Sequence, residues 1–145
     1  MVRADAHRAR VEALCRHYLG VDELAVDADG DIPIRIGESG FYYVSLLDGD
    51  TPLVRVHTRL LRDVGASPEL LERLNEMNRG IVSARVFWQD GSIVAATEVV
   101  AATIDQDELD HVCRAVRVLT EWTDELHDRF GGAKPYADLD VSERR

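Results

Sequence analysis

Cysteine is scarce in this 145-residue chain: Cys15 and Cys113 stand alone, with no CxxC pair. That excludes a disulfide framework and a thiolate zinc site. Each cysteine falls inside an apolar helical pattern, where it reads as a small buried hydrophobe of a reducing compartment. Long apolar runs are missing too. The first twenty residues, MVRADAHRARVEALCRHYLG, carry charge throughout, so they are neither a signal peptide nor a membrane span, and a cytoplasmic protein is expected. Basic charge is in deficit, 27 acidic against 17 basic side chains giving a net charge of −10. A nucleic-acid binder needs a positive surface to meet phosphate, and an anionic membrane repels an acidic protein, so neither is expected as a partner. Lysine is nearly absent, Lys134 being the one basic residue that is not arginine; this bias points to codon usage more than to chemistry.

Catalytic signatures are lacking as well. There is no GxSxG, no GxxxxGK, no GxGxxG and no nucleophile beside a histidine in sequence, so no enzyme of a motif-bearing class is expected. His7, His17, His57, His111 and His127 show no HxxxH or HExxH spacing and read as solvated surface residues. The stretch DADGD at 27–31 resembles the start of a calcium loop. Its twelfth ligand position falls on Glu38 only if the strand pattern of IPIRIG is abandoned, so no metal or cofactor is expected.

What the chain does have is 46% apolar residues, enough for the core of one domain, in segments whose period changes along the chain. Val11, Leu14, Cys15 and Tyr18 fall at helical spacing and predict a helix over 4–19, closed by Gly20. Ile32, Ile34 and Ile36 then alternate with other residues, and FYYVSLL and LVRVHTRL follow across the turn sequences GESG and DGDTP. Three antiparallel strands are predicted, with Pro33 placing the first near a sheet edge. Ser67 as N-cap and Pro68 at the first helical position open a second helix with Leu70, Leu71, Leu74 and Met77. IVSARVFW and SIVAATEVVA flank a QDG turn and predict a hairpin. Asp105 and Glu108 form a capping box that begins the longest helix, from Leu109 through Val116 and Leu126 to Phe130, ended by Gly131 and Gly132. Residues 132–145 have no period and read as a flexible tail.

The order α-β-β-β-α-β-β-α predicts an α+β domain over 4–131, a twisted five-stranded antiparallel sheet with helices packed mainly on one face. On its third strand Arg55, His57 and Arg59 alternate with Val54, Val56 and Thr58, and on the fourth Arg85 and Phe87 share the phase opposite Val86 and Trp88. One reading is ordinary ion pairing on an exposed face. The other is a mixed basic and apolar face that receives an extended segment of an acidic partner.

The stretch LNEMNRG at 74–80 reads as a stop signal: Asn78 and Gly80 suit a left-handed C-terminal cap, and Asn75 suits a hydrogen bond to the start of the next strand. A polar pair at a dimer seam is the alternative.

LLERLNEMNRGIVSARVFWQDGSIVAATEVVA at 70–101, followed by a long amphipathic helix, resembles the YbjN-type domain family, which is related in fold to the small acidic type III secretion chaperones. The resemblance rests on Leu74, Asn75, Asn78, the turn at Asp90 and Gly91, and the closing helix from Asp107. It implies a compact, often homodimeric α+β protein that binds a segment of another protein and does not catalyse. Ala115, Val118 and Trp122 form a second stripe on the last helix, which reads equally as a surface for such a dimer or as a helix buried more deeply than usual. The competing expectation is a regulatory domain with a small ligand between the sheet and that helix, walled by Tyr42, Tyr43 or Trp122.

Overall fold

The structure, a computed structural model, describes residues 2–37 and 40–135. Its elements are α1 (Val2–Leu19), β1 (Ile32–Arg35), β2 (Phe41–Leu47), β3 (Leu53–Leu61), α2 (Pro68–Gly80), β4 (Arg85–Gln89), β5 (Ser92–Val100), α3 (Gln106–Leu119) and α4 (Thr123–Phe130). The five strands form one antiparallel sheet in the order β1-β2-β3-β5-β4. This is the α+β architecture that the changing periodicity predicts.

Alternation divides the sheet into two unlike faces. Tyr42, Val44, Val54 and Val56 point under the helices and pack with Val11 and Cys15 of α1 and with Leu109, Val112, Cys113 and Val116 of α3. A second cluster joins Leu60, Leu61, Val86, Ile93 and Ala95 to Leu70, Leu74 and Met77 of α2, to Leu119 at the end of α3 and to Leu126 of α4. Both cysteines are wholly buried, and burial pushes each thiol up to about 12. The guanidinium of Arg10 fastens α1 to the β5–α3 loop, donating to the carbonyls of Ala101 and Ala102 at 2.9 Å and of Ile104 at 2.6 Å.

Ser67 and Asp105 cap their helices as expected, accepting from the amides of Leu70 at 3.1 Å and Glu108 at 2.8 Å. The last helix is not continuous. A 3-10 turn, Thr120–Trp122, separates α3 from α4, and the Thr120 hydroxyl donates to the Arg117 carbonyl at 2.6 Å, a local bond that competes with the helical ladder. The fourth strand begins at Arg85 and not at Ile81; the intervening loop holds Ser83 at φ 70° and leaves Val82 81% exposed.

The expected cap at Asn78 and Gly80 takes another form. Gly80 is the last helical residue, Ile81 caps in extended geometry through its amide to the Met77 carbonyl, and no left-handed residue is used. Asn78 instead grips β4 with both ends of its amide: Nδ2 donates to the Val86 carbonyl and Oδ1 accepts from the Val86 amide, each at 2.8 Å. The contact to the next strand thus belongs to Asn78, one turn beyond Asn75, because only the later position lies level with β4.

Beyond α4, Gly132 sits at φ +83°, where a Cβ would overlap Val64 Cγ2 and lie 2.6 Å from the Arg62 carbonyl. Ala133 pairs with Arg62, so the first residues of the expected tail are held against the residue that follows β3; the rest, 136–145, lie outside the described residues.

Asn78→Ala leaves two backbone groups of the buried Val86 without partners, and the expected loss is about 2 kcal/mol or more in urea unfolding at an unchanged m-value. Gly132→Ala meets both the left-handed backbone and the overlap with Val64 and the Arg62 carbonyl, with an expected loss of about 1–3 kcal/mol by the same measurement.

Candidate functional site: the open face of the sheet

The face turned away from the helices is floored by cross-strand neighbours. Ser45 lies opposite Arg55 and Tyr43 opposite His57. Arg55 also faces Glu98, His57 faces Ala96 and Arg59 faces Val94, and on the far side Arg85 and Phe87 face Ala96 and Val94. The result is a shallow basin of about 750 Å³. Arg55, His57, Arg59, Arg85 and Phe87, the residues singled out from strand phase, all line it. Asn75, Asn78 and Gly80 do not; they belong to α2.

Glu98 organises the charge. Arg85 meets it through two nitrogens, Nη1 at 2.6 Å and Nη2 at 2.8 Å, and Arg55 Nε adds a third bond at 2.9 Å. The Arg85 hydrogen bonds, then that of Arg55, hold its carboxyl down to about 2 against the opposing effect of burial. Two arginines on one carboxylate leave one positive charge in excess. The Arg85 guanidinium also lies 5.2 Å over the Phe87 ring, so cation and apolar surface are fixed together.

Arg59 is exposed and, among the described residues, has neither a hydrogen-bond nor an ion-pair partner. His57 departs from the solvated role expected of it. It stacks on Tyr43 at 5.8 Å, its Nε2 lies 2.7 Å from Ser45 Oγ, and burial lowers its pKa below 6.5. The serine–histidine contact runs across strands, where no linear motif search finds it. At the other end of the basin Asp27, Asp29 and Asp31 bring their carboxylates within 4.8 Å of one another. Asp27 spends one oxygen on its own loop, accepting from the amides of Asp29 at 3.0 Å and Asp31 at 2.9 Å.

Glu98 and Ser45 are site residues that sequence reasoning missed, and Tyr43, expected as the wall of a ligand pocket, lies here on the open face. Glu98 had a signal: it is the single charge in SIVAATEVVA and shares its phase with Val94 and Ala96.

A second concavity, about 560 Å³, runs between α2 and α3 and is lined by Met77, Ile81, Val82, Val118 and Trp122. Val118 and Trp122 are 47% and 40% exposed, and Arg73 lies 5.1 Å over the Trp122 ring. The ligand pocket expected between sheet and last helix is not formed by its three aromatic walls. Tyr42 is buried in the core with its hydroxyl on that of Tyr18 at 3.2 Å, Tyr43 lies on the open face, and Trp122 lies in the outer groove. The space between sheet and α3 is packed with apolar side chains.

Among the described residues no helix is long and apolar enough to cross a membrane. A family model for type III secretion system (YopN, CesT) and YbjN peptide-binding chaperones matches residues 5–138. None of the curated proteins matches by sequence. Two solved structures share the fold. The ExsC–ExsE complex superposes with a TM-score of 0.57 at 16% identity, covering 81% of this chain and 93% of that one. The Yersinia pestis type III secretion chaperone SycH, in complex with a stable fragment of YscM2, gives 0.58 at 13% identity, over 83% and 98% of the two chains.

Titration separates the two half-buried ionisable groups of the basin. His57 has a folded-state pKa below its ordinary 6.5, so the unfolded chain takes up a proton first as pH falls; its contribution is complete above about 6.5 and is lost below it. Glu98, held below its ordinary 4.5, contributes above that value and loses the contribution as pH falls toward 2. Thermal midpoints should therefore drop between pH 7 and 5.5 in the parent chain and drop less in His57→Gln, with the acid limb below pH 4.5 shared by both.

Proposed function

The chain belongs to the family of type III secretion and YbjN peptide-binding chaperones, and from that premise we propose that it holds an extended segment of an acidic partner protein against the open face of its sheet. The observation that carries this reading is the basin itself. Arg55, His57 and Arg59 stand along one strand at the two-residue period of an extended chain, about 6.6 Å apart, and Phe41, Tyr43 and Phe87 supply apolar contact beside them. An extended ligand with acids four positions apart meets Arg55 and Arg59 at matching spacing, with the neutral His57 between them, while its intervening backbone lies over aromatic rings.

Binding is the whole of the activity in this reading, without catalysis, and its place is the cytoplasm. Glu98 keeps Arg55 and Arg85 in one orientation before the ligand arrives, so less side-chain freedom is lost on association. The chain acts as a homodimer joined through the α2–α3 groove, where Val82, Val118 and Trp122 present apolar surface to solvent.

A photo-crosslinking side chain at Phe87 in the native host should join the chain to one or a few proteins. A synthetic peptide of the crosslinked segment should bind the purified chain and lose about tenfold or more in affinity with Arg85→Glu. Crosslinks no different from those made by the same group at Leu71, on the outer side of α2, would sink the proposal. For the dimer, light scattering should give twice the chain mass, and Trp122→Glu should halve it with the fold intact by circular dichroism.

A further inference from the structure

A row of side chains crosses the middle of the open face. Tyr43 and Ala96 stand opposite His57 on the two neighbouring strands, and Arg85 stands opposite Ala96 on β4. His57 is thus central in the basin, with Arg55 and Arg59 on either side of it along β3, each about 6.6 Å away by the strand period. Two contacts hold its ring: the stack on Tyr43 at 5.8 Å, and the bond of 2.7 Å between Nε2 and Ser45 Oγ. Nδ1 has no hydrogen-bond partner among the described residues. A hydroxyl both donates and accepts, so Ser45 suits the ring in either protonation state, donating to a bare Nε2 or accepting from a protonated one. A protonated ring has Nδ1–H left over for a ligand.

The charges around the ring oppose one another. Burial works against the proton most strongly; Asp31 and Asp27 of the α1–β1 loop and Glu98 of β5 favour it, and Arg55 disfavours it. Arg59 lies one strand period away, and Arg85 is bonded to Glu98. The outcome is a ring that is neutral at pH 7 between two arginines that never lose their charge. A ligand lying along β3 changes this balance. Acids four positions apart cover Arg55 and Arg59 and remove the repulsion they exert on a protonated ring. The side chain midway between those acids comes down over His57. A carboxylate in that place sets an opposite charge beside the ring nitrogen still open, which draws a histidine toward its charged form.

From this we infer that His57 reads the middle position of the held segment by protonation: an uncharged side chain there is bound without a proton, and an acid there is bound together with one. The inference rests on the partner reading of the open face. Between two permanent cations the basin has a third that forms only against an acid. A segment with three alternating acids is therefore held more tightly as pH falls, while one with a neutral middle residue is held nearly alike.

The test uses two acetylated and amidated peptides, GTETETETG and GTETNTETG, whose side-chain order is the same in either direction and which differ only in the middle. With the full chain, the first should bind more tightly at pH 5.5 than at pH 7.5 by about threefold or more, and the second should change by less than about twofold. The ring signal of His57, identified by its loss in His57→Gln, should titrate at higher pH with the first peptide bound than in the free chain. A merely structural histidine makes no such shift. His57→Gln keeps a hydrogen-bonding group beside Ser45 and should give both peptides the same pH dependence. Equal pH dependence of the two peptides in the parent chain, or a ring midpoint unmoved by the first, would overturn the inference, as would saturable binding of neither. Crosslinking from Phe87 judges the partner reading separately. A partner captured there stands even when the peptides remove the role of His57, whereas the expected pH dependence with no captured partner keeps that role and removes the partner.

Discussion

The register between β3 and β5 fixes which side chains this protein shows to solvent. Val56 stands opposite Thr97 and His57 opposite Ala96, so Val54 and Val56 meet the helices while Arg55, His57 and Arg59 meet water. A slip of one residue would drive three titratable groups into the core and put valines on the surface. Burial enforces the register from one side, through Val54 and Val56 with no measurable exposure. Arg55 and Glu98 enforce it from the other, since their bond forms with the two residues directly opposite, and Arg85 reaches the same carboxylate diagonally from β4. Core and site are in this sense the two sides of one pairing.

Much of this was legible because it depends on local periods. Strand alternation located Arg55, His57, Arg59, Arg85 and Phe87 on one face, and cap chemistry placed Ser67 and Asp105 at their helix starts. What was not legible depends on neighbours distant in sequence. Nothing near Asn78 says that its amide faces Val86, because that contact needs the crossing of α2 over β4. His57 looks like a surface histidine until Tyr43 and Ser45 arrive from β2. The break after Leu119 has no proline or glycine to announce it; a threonine hydroxyl bonding backward is a weak signal that many unbroken helices also contain.

Family and fold are established on different grounds. Membership rests on a sequence model spanning residues 5–138. The likeness to secretion chaperones at 13–16% identity is a likeness of architecture, and sequences that far apart share layers and connections without sharing surface chemistry. The basin is therefore described by its own residues. Its cations are partly neutralised by Glu98 and bounded by three aspartates, so its charge runs from positive at the Arg59 end to negative at the Asp27–Asp31 end.

The grip of Asn78 on Val86 bears on how such a sheet stays soluble. β4 is an edge strand of five residues, and an edge with free amides and carbonyls is a template on which other chains add strands and aggregate. Asn78 occupies the outward-facing amide and carbonyl of Val86, the second residue of that short edge. At the opposite edge β1 is shorter still, four residues, and includes Pro33, which has no N–H to offer. With both borders closed in this way, strand addition is disfavoured on either side, and the sheet is protected from being extended by other chains.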